Sequence, residues 1–166
     1  VAVLEAVAVM AQSQNPAQPR SMTLMAGPID TRVNPTKVNE LANSKSIDWF
    51  EKNLIARVPF RFSGAFRRVY PGFVQLAAFM SMTIERHVKA HRQLYDNLRN
   101  GELEKARSTK DFYDEYFAVL DLSAEFYLET VRIVFQEHRL PTGTLKWRGE
   151  PVEPRAIRRT MLLTVE

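Results

Sequence analysis

The chain has 166 residues, of which 45% are hydrophobic and 10% aromatic, and it contains no cysteine. This composition is that of an ordinary globular domain with a sizeable core, and it excludes disulfides and cysteine-ligated metal sites within the chain. The formal net charge is +4, from 23 basic and 19 acidic residues, and no apolar run reaches the ~18 to 20 residues of a membrane-spanning helix.

The first twelve residues, VAVLEAVAVMAQ, predict a helix that is apolar almost all round, with a single charge at Glu5. A helix of this kind is normally buried on more than one side. No capping residue precedes it, and the chain begins with Val1 rather than methionine. We therefore expect the chain to be an internal fragment of a longer protein, with a further strand before Val1.

Two short apolar runs predict strands of one parallel sheet. They are SMTLMA at residues 21–26 and TMLLTV at residues 160–165. Apolar runs without polar alternation are typical of strands covered on both faces. The order of helix, proline-rich loop and strand at the start is half of a βαβ unit, which predicts an α/β fold.

Helical periodicity dominates from about residue 33 to residue 138. Ser46 predicts the cap of an early helix, Ser108 with Asp111 predicts the start of a later one, and Ser123 predicts the cap of the last. An insertion this long exceeds an ordinary crossover and follows the carboxyl end of a strand, where α/β sheets bind ligands. We therefore expect core residues at 1–32, a helical lid at 33–143 and a return to the core at 144–166.

Asp30 is a candidate for the active-site edge, because it follows the first predicted strand. Some hydrolases carry the acid of their triad in that position. The alternative, which the sequence favours, is that Asp30 only orders its own turn through backbone hydrogen bonds.

Aromatic residues cluster around a loop that contains Pro59 and Gly64. They are Phe60, Phe62, Phe66, Tyr70 and Phe73. The simpler interpretation is that they anchor the loop on the helical core, and the functional one is that they line an apolar substrate groove. The Tyr70-Pro71-Gly72-Phe73 corner fixes the angle of two of these side chains, so Tyr70 and Phe73 are the candidate substrate-binding residues.

Histidines and basic residues give no strong site. His87 and His91 lie four residues apart on one predicted helix face, but zinc needs at least a third ligand and His138 is the only other histidine. We therefore expect no metal and no cofactor. The arginines form one loose group at residues 57, 61, 67 and 68, without the basic stripe or module of a nucleic-acid-binding domain, so we expect no nucleic-acid partner.

Four segments of the chain carry a resemblance to a known family. They are PAQPRSMTLMAGPIDTRVNPT, RRVYPGF, FYDEYFAVLDLSAEFYLETV and RRTMLLTVE. These runs resemble the intracellular poly(3-hydroxybutyrate) depolymerases, whose members are similar to α/β-hydrolases with a Cys-His-Asp triad. The resemblance implies a nucleophile before Val1, with the acid and the histidine after Glu166, so that no triad residue falls within this chain.

The same resemblance implies a fragment of a cytoplasmic, granule-associated ester hydrolase. Its fold would be part of an α/β-hydrolase parallel sheet, with two strands, one core helix and a large helical lid. Its partner would be poly(3-hydroxybutyrate) or its oligomers at the surface of a storage granule, and the fragment alone would be inactive. Two alternatives stay open: the lid of a polyhydroxyalkanoate synthase, and a non-catalytic helical interaction module.

Overall fold

The computed structural model describes residues 1–165, and these form two compact units of a mixed α/β protein. The first unit contains residues 1–35, 39–44 and 129–165, and the second contains residues 36–38 and 45–128. No helix among the described residues is long and apolar enough to cross a membrane. Glu166, the last residue of the final predicted segment, lies outside the described residues.

The regular elements follow one another in this chain order: α1 (Ala2–Gln12), β1 (Ser21–Met25), α2 (Lys37–Ser44), α3 (Ile47–Leu54), β2 (Ala56–Arg57), β3 (Arg68–Tyr70), α4 (Gly72–Met82), α5 (Ile84–Arg99), α6 (Leu103–Phe117), β4 (Leu122–Ser123), α7 (Ala124–Thr130), a π-helical segment (Val131–Gln136), β5 (Lys146–Trp147), β6 (Glu150–Pro151), a 3-10 turn (Pro154–Ala156) and β7 (Met161–Val165).

The parallel sheet of the first unit confirms the prediction from the two apolar runs. Strand β1 pairs with β7 in parallel, with Ser21 opposite Met161 and Met25 opposite Val165. The strands are neighbours although the whole helical part of the chain separates them in sequence. Ala26, predicted to end the first strand, lies beyond it with a φ of 47°.

Burial of these apolar elements is less complete than the sequence predicts. All five residues of β7 are exposed, with Met161 at 71% and Leu163 at 58%. Helix α1 buries Val7 and Ala8 but leaves Val3 54% exposed. The expectation of cover on both faces of β7, and on several sides of α1, is therefore wrong for the described residues, because a two-stranded sheet offers few packing partners.

The core of the first unit forms where α1 meets the segment after the π-helix. Its buried members are Ala8, Leu140, Leu145 and Val152. Gln12 fixes this arrangement at the end of α1, since its side-chain amide donates to the Pro151 carbonyl at 2.9 Å and accepts from the Glu153 amide at 3.0 Å. One polar side chain thus holds the helix end to the β6 segment.

The second unit combines five helical segments with a small antiparallel sheet in the order β2-β3-β4. These strands correct the prediction of helices and turns alone between residues 33 and 138. They are only two or three residues long, and β3 pairs with β4 through partners distant in sequence, such as Val69 and Ser123. Local periodicity carries no information about such pairing.

Helix starts agree with two of the three predicted caps. Ser46 accepts a hydrogen bond from the Trp49 amide, and Ser123 accepts one from the Phe126 amide, both at 3.3 Å. The prediction for Ser108 is wrong, because α6 begins at Leu103 and Ser108 lies exposed inside it. The turn that precedes α6 contains Gly101 at a φ of 77°, a left-handed conformation that glycine adopts readily.

The boundaries of the units differ from the predicted lid of residues 33–143. Residues 39–44 and 129–143 belong to the first unit, with the parallel sheet. The helical second unit is correspondingly smaller than the predicted insertion. A lid function for it stays a prediction.

Candidate functional site

The corner between β3 and α4 is held rigidly by the segment after α6. The Gly72 amide donates to Asp121 Oδ1 at 2.7 Å, and Gln75 Nε2 donates to the Leu120 carbonyl at 3.0 Å. A Cβ on Gly72 would lie 2.4 Å from the Val119 carbonyl oxygen, so the close approach of the two backbones requires glycine. The corner is therefore a preorganised support for the side chains on it.

Tyr70 faces the interior of the second unit. It is 7% exposed, and its ring stacks on Tyr127 with centroids 3.8 Å apart and an angle of 18°. Phe50 adds an edge contact to Tyr127, at 6.5 Å. Burial raises the pKa of Tyr70 and of Tyr127 above the ordinary tyrosine value, and the nearby Tyr70 raises that of Tyr127 further. Both hydroxyls are neutral at physiological pH, and the stacked Tyr70 ring anchors the β3 end of the corner in the interior of the second unit.

Phe73 has the opposite environment, because 75% of its surface is exposed. Leu120, whose carbonyl accepts the Gln75 hydrogen bond, is 83% exposed. The corner thus presents apolar side chains to solvent on a fixed backbone. Of the two predicted substrate-binding residues, Phe73 is exposed and Tyr70 is buried, and their roles in substrate binding stay predictions.

Three participants in this corner were missed by the sequence interpretation: Asp121, Leu120 and Tyr127. Asp121 and Leu120 fall within the stretch of helical periodicity predicted to residue 138, whereas α6 ends at Phe117. A signal was present in the LDL sequence at residues 120–122, where a carboxylate separates two apolar residues between two helical patterns. A polar residue in such a position is available to bond the backbone of another element.

The predicted anchoring of the loop by its phenylalanines is wrong. Phe60, Phe62 and Phe66 are 76%, 59% and 66% exposed. Only Tyr70 of the predicted aromatic group is buried. The loop is held instead by the backbone hydrogen bonds of β2 and β3, with Ala56 opposite Val69.

Asp30 lies in the first unit and forms a local turn. Its Oδ1 accepts from the Arg32 amide at 3.0 Å and from Arg32 Nε at 2.8 Å, and its Oδ2 accepts from Arg32 Nη2 at 2.6 Å. These hydrogen bonds lower the pKa of Asp30 to about 2, and those from the Arg32 side chain contribute more than the one from its backbone amide. The turn interpretation is thus supported, and a role at an active-site edge stays a prediction.

A buried polar cluster next to Asp30 was not predicted. Thr31, 1% exposed, donates to the Val134 carbonyl of the π-helical segment at 3.2 Å, and its hydroxyl lies 3.1 Å from His138 Nδ1. Asn39 Nδ2 donates to the Thr31 carbonyl at 3.1 Å. A hydroxyl this deeply buried cannot meet a substrate, so the cluster ties α2 and the π-helical segment to the turn.

His87 and His91 lie on α5 against the aromatic side of α6. His87 is 7% exposed, with Nδ1 at 3.0 Å from the Tyr113 hydroxyl and Nε2 at 3.3 Å from Thr83 Oγ1. His91 Nδ1 lies 2.8 Å from the His87 carbonyl. The two rings are thus integrated in the packing of the helix pair. Among the described residues no group of three or more His, Cys, Asp or Glu side chains could hold a metal ion.

The chain matches the model of one protein family along most of its length. Residues 26–166 match the family described as PHB de-polymerase C-terminus, where PHB is poly(3-hydroxybutyrate). No curated protein and no solved structure matches the chain significantly. The match includes the whole second unit and β7, and it begins at Ala26, directly after β1. Because it covers well over half of the sequence, the chain belongs to the PHB de-polymerase C-terminus family.

Proposed function

We propose that this chain is part of an intracellular enzyme that hydrolyses the ester bonds of poly(3-hydroxybutyrate). The observation that supports the proposal most is the family match over residues 26–166. A parallel pair of strands flanking a helical unit is compatible with an α/β-hydrolase core that carries a lid. In this proposal the enzyme acts in the cytoplasm, at the surface of the storage granule.

The proposed reaction is acyl transfer through a hydroxyacyl-enzyme. A cysteine thiolate attacks the ester carbonyl, the alcohol end of the polymer leaves with a proton from the triad histidine, and water then attacks the thioester to release the acid. The chain contains no cysteine, so the nucleophile in this proposal lies outside its 166 residues, as do the triad acid and histidine. The fragment alone is then inactive.

The β3–α4 corner is proposed to contact the polymer through Phe73. A polyester chain is neutral and largely apolar, and an exposed phenyl ring on a fixed backbone offers it a surface without charge. Tyr70 supports that surface by its stack on Tyr127. The Asp121 carboxylate fixes the backbone next to Phe73 by accepting the hydrogen bond from the Gly72 amide.

The experiment compares Phe73→Ala with a matched control in the protein that contains this chain together with the complete triad. Phe79→Ala is the control, because Phe79 is also exposed, at 50%, on the same helix. Six residues at about 100° each place it on another face of α4. Truncation of either exposed ring should change the unfolding free energy by less than about 1 kcal/mol.

Only Phe73→Ala is expected to lower kcat/KM, measured as release of 3-hydroxybutyrate from amorphous polymer. Equal kcat/KM values for both variants on polymer and on short oligomers would contradict the role of Phe73. Release of the monomer by the 166-residue chain alone would contradict the proposed position of the triad. Net polymer synthesis from a hydroxyacyl thioester would instead favour the synthase alternative.

A further inference from the structure

The net positive charge of the chain is concentrated in one loop. Residues 57–68, with the sequence RVPFRFSGAFRR, are called the Arg/Phe loop; they contain four arginines and no acidic residue. Without these arginines the chain has 19 basic and 19 acidic residues. The formal charge of +4 is therefore equal to the charge of a twelve-residue segment.

Three of the four arginines have no acidic partner in the part of the chain that the structure describes. Arg68 forms an ion pair with Glu51. Among the described residues no carboxylate lies within ion-pair distance of Arg57, Arg61 or Arg67, and all three are exposed. Arg57 Nη1 donates to the Phe66 carbonyl at 3.2 Å, and the Arg61 guanidinium lies 5.9 Å from the centre of the Phe60 ring. Cation and aromatic ring are thus presented together.

The phenylalanines of the loop are exposed to solvent, and the backbone conformation at Phe66 does not require an aromatic residue. The Phe66 amide donates to the Val58 carbonyl at 2.8 Å, and the Val58 amide donates to the Arg67 carbonyl at 3.0 Å. Val58 therefore opposes two residues of the other strand, which is a bulge whose first residue, Phe66, has a φ of 67°. Glycine is the usual residue in that left-handed position. A phenyl ring held there in solvent contributes nothing to the bulge.

We propose that the Arg/Phe loop docks the protein on an anionic lipid surface. In this arrangement Phe60, Phe62 and Phe66 enter the acyl region, and Arg57, Arg61 and Arg67 lie among the acidic head groups. The phenyl rings are then removed from water, and the guanidinium groups are paired with acidic lipid head groups. A bare polyester surface is neutral and would engage only the rings, and a single-stranded nucleic acid would favour rings arrayed on a sheet or groove rather than on a hairpin loop. This docking is independent of the proposed function.

The test measures binding of the 166-residue chain to vesicles by co-sedimentation. One set of vesicles is phosphatidylcholine alone, and the other is phosphatidylcholine mixed with phosphatidylglycerol. Each basic residue near an anionic surface strengthens binding about fivefold, so three unpaired arginines predict a preference of roughly a hundredfold for the mixed vesicles. At about 1 M salt, where the Debye length is about 3 Å, most of that preference is lost.

Two loop variants separate the contributions. Arg57→Gln with Arg61→Gln and Arg67→Gln is expected to bind both kinds of vesicle equally weakly. Phe66→Gly removes one ring and gives the bulge its preferred residue, so that loss of binding cannot be attributed to unfolding. It is expected to weaken binding to the mixed vesicles severalfold, because burial of one aromatic side chain is lost.

The control is Phe79→Ser with Phe112→Ser, which removes two exposed rings outside the loop and is expected to leave vesicle binding unchanged. The proposal is overturned if the wild-type chain binds both vesicles equally or binds neither. It is also overturned if Phe66→Gly binds like the wild type, or if the control weakens binding as much as the loop variants. Binding confined to an oligothymidylate or to lipid-free polymer particles would overturn it in favour of those partners.

Discussion

Gly72→Ala is expected to destabilise the second unit although alanine is the better helix former. Gly72 is the first residue of α4, where alanine would ordinarily gain up to about 1 kcal/mol over glycine. The added Cβ, however, would lie 2.4 Å from the Val119 carbonyl oxygen, and real contacts of this kind are almost never under 3.0 Å. The two backbones must therefore separate by at least 0.6 Å.

The magnitude follows from two costs at the same corner. Separation of well-packed groups costs about 1 to 3 kcal/mol. The shift also lengthens the 2.7 Å hydrogen bond from the Gly72 amide to Asp121, and a hydrogen bond to a charged group contributes about 1.5 to 3 kcal/mol. After subtraction of the helix-propensity gain, we expect the unfolding free energy of the second unit to fall by about 1.5 to 5 kcal/mol.

The assay is urea unfolding followed by tryptophan fluorescence. The chain has two tryptophans, Trp49 in the second unit and Trp147 in the first, so that a Trp147→Phe background reports on the second unit alone. Gly27→Ala is the matched control, because its added Cβ would meet nothing closer than the Met25 carbonyl oxygen at 3.8 Å. Gly27 lies in the first unit, so this control is measured in a Trp49→Phe background, where Trp147 reports on that unit. Gly27→Ala should change stability by less than about 1 kcal/mol. If Gly72→Ala is no more destabilising than Gly27→Ala, the close approach to Val119 does not limit this corner.

Three further outcomes are expected. Arg32→Ala should raise the pKa of the Asp30 carboxylate from its value of about 2, as measured by NMR titration, and an unchanged pKa would contradict the role of Arg32. Because folding lowers this pKa, the stabilisation is present above the ordinary value near 3.9 and is lost as the pH falls towards 2. Phe66→Gly should leave the unfolding free energy unchanged or raise it by up to about 1 kcal/mol, because the φ of 67° suits glycine. Phe62→Gly, at a position without positive φ, should lower it. Equal losses for the two variants in urea unfolding would show that the backbone at Phe66 is not strained. Burial raises the pKa of Tyr127 above its unfolded value near 10, so its contribution to stability is fully present below pH 10 and is lost as the pH rises from there towards the raised pKa. Tyr127→Phe should flatten the alkaline part of the stability curve, and an unchanged slope would count against this.

Local chemistry was sufficient wherever the deciding interaction lies within a few residues. The Ser46 and Ser123 caps follow from the hydroxyl that bonds an amide three residues on. The turn at Asp30 follows in the same way from a carboxylate that bonds the amide two residues on. The apolar runs that became β1 and β7 identified both strands, and their uniform character indicated parallel pairing, which the register of Ser21 with Met161 bears out.

The start of α6 and the small sheet show where local pattern failed. Ser108 followed by an acidic residue matches a capping sequence, yet in the structure it lies within a helix that begins at Leu103. The strands β2, β3 and β4 are too short to leave a periodic pattern, and β3 pairs with β4 through residues far apart in sequence, such as Val69 and Ser123. Non-local pairing of this kind is invisible in a sequence window.

The candidate site depends partly on local sequence and partly on tertiary contacts. From the sequence alone, Tyr70-Pro71-Gly72-Phe73 is a shaped corner, because proline fixes its own φ and glycine allows a close backbone approach. Only the tertiary structure decided that Tyr70 packs inward on Tyr127 while Phe73 faces solvent. The physical reason is that the direction of a side chain at the corner is set by what arrives against it from a distant part of the chain, here the Asp121 segment that bonds the Gly72 amide.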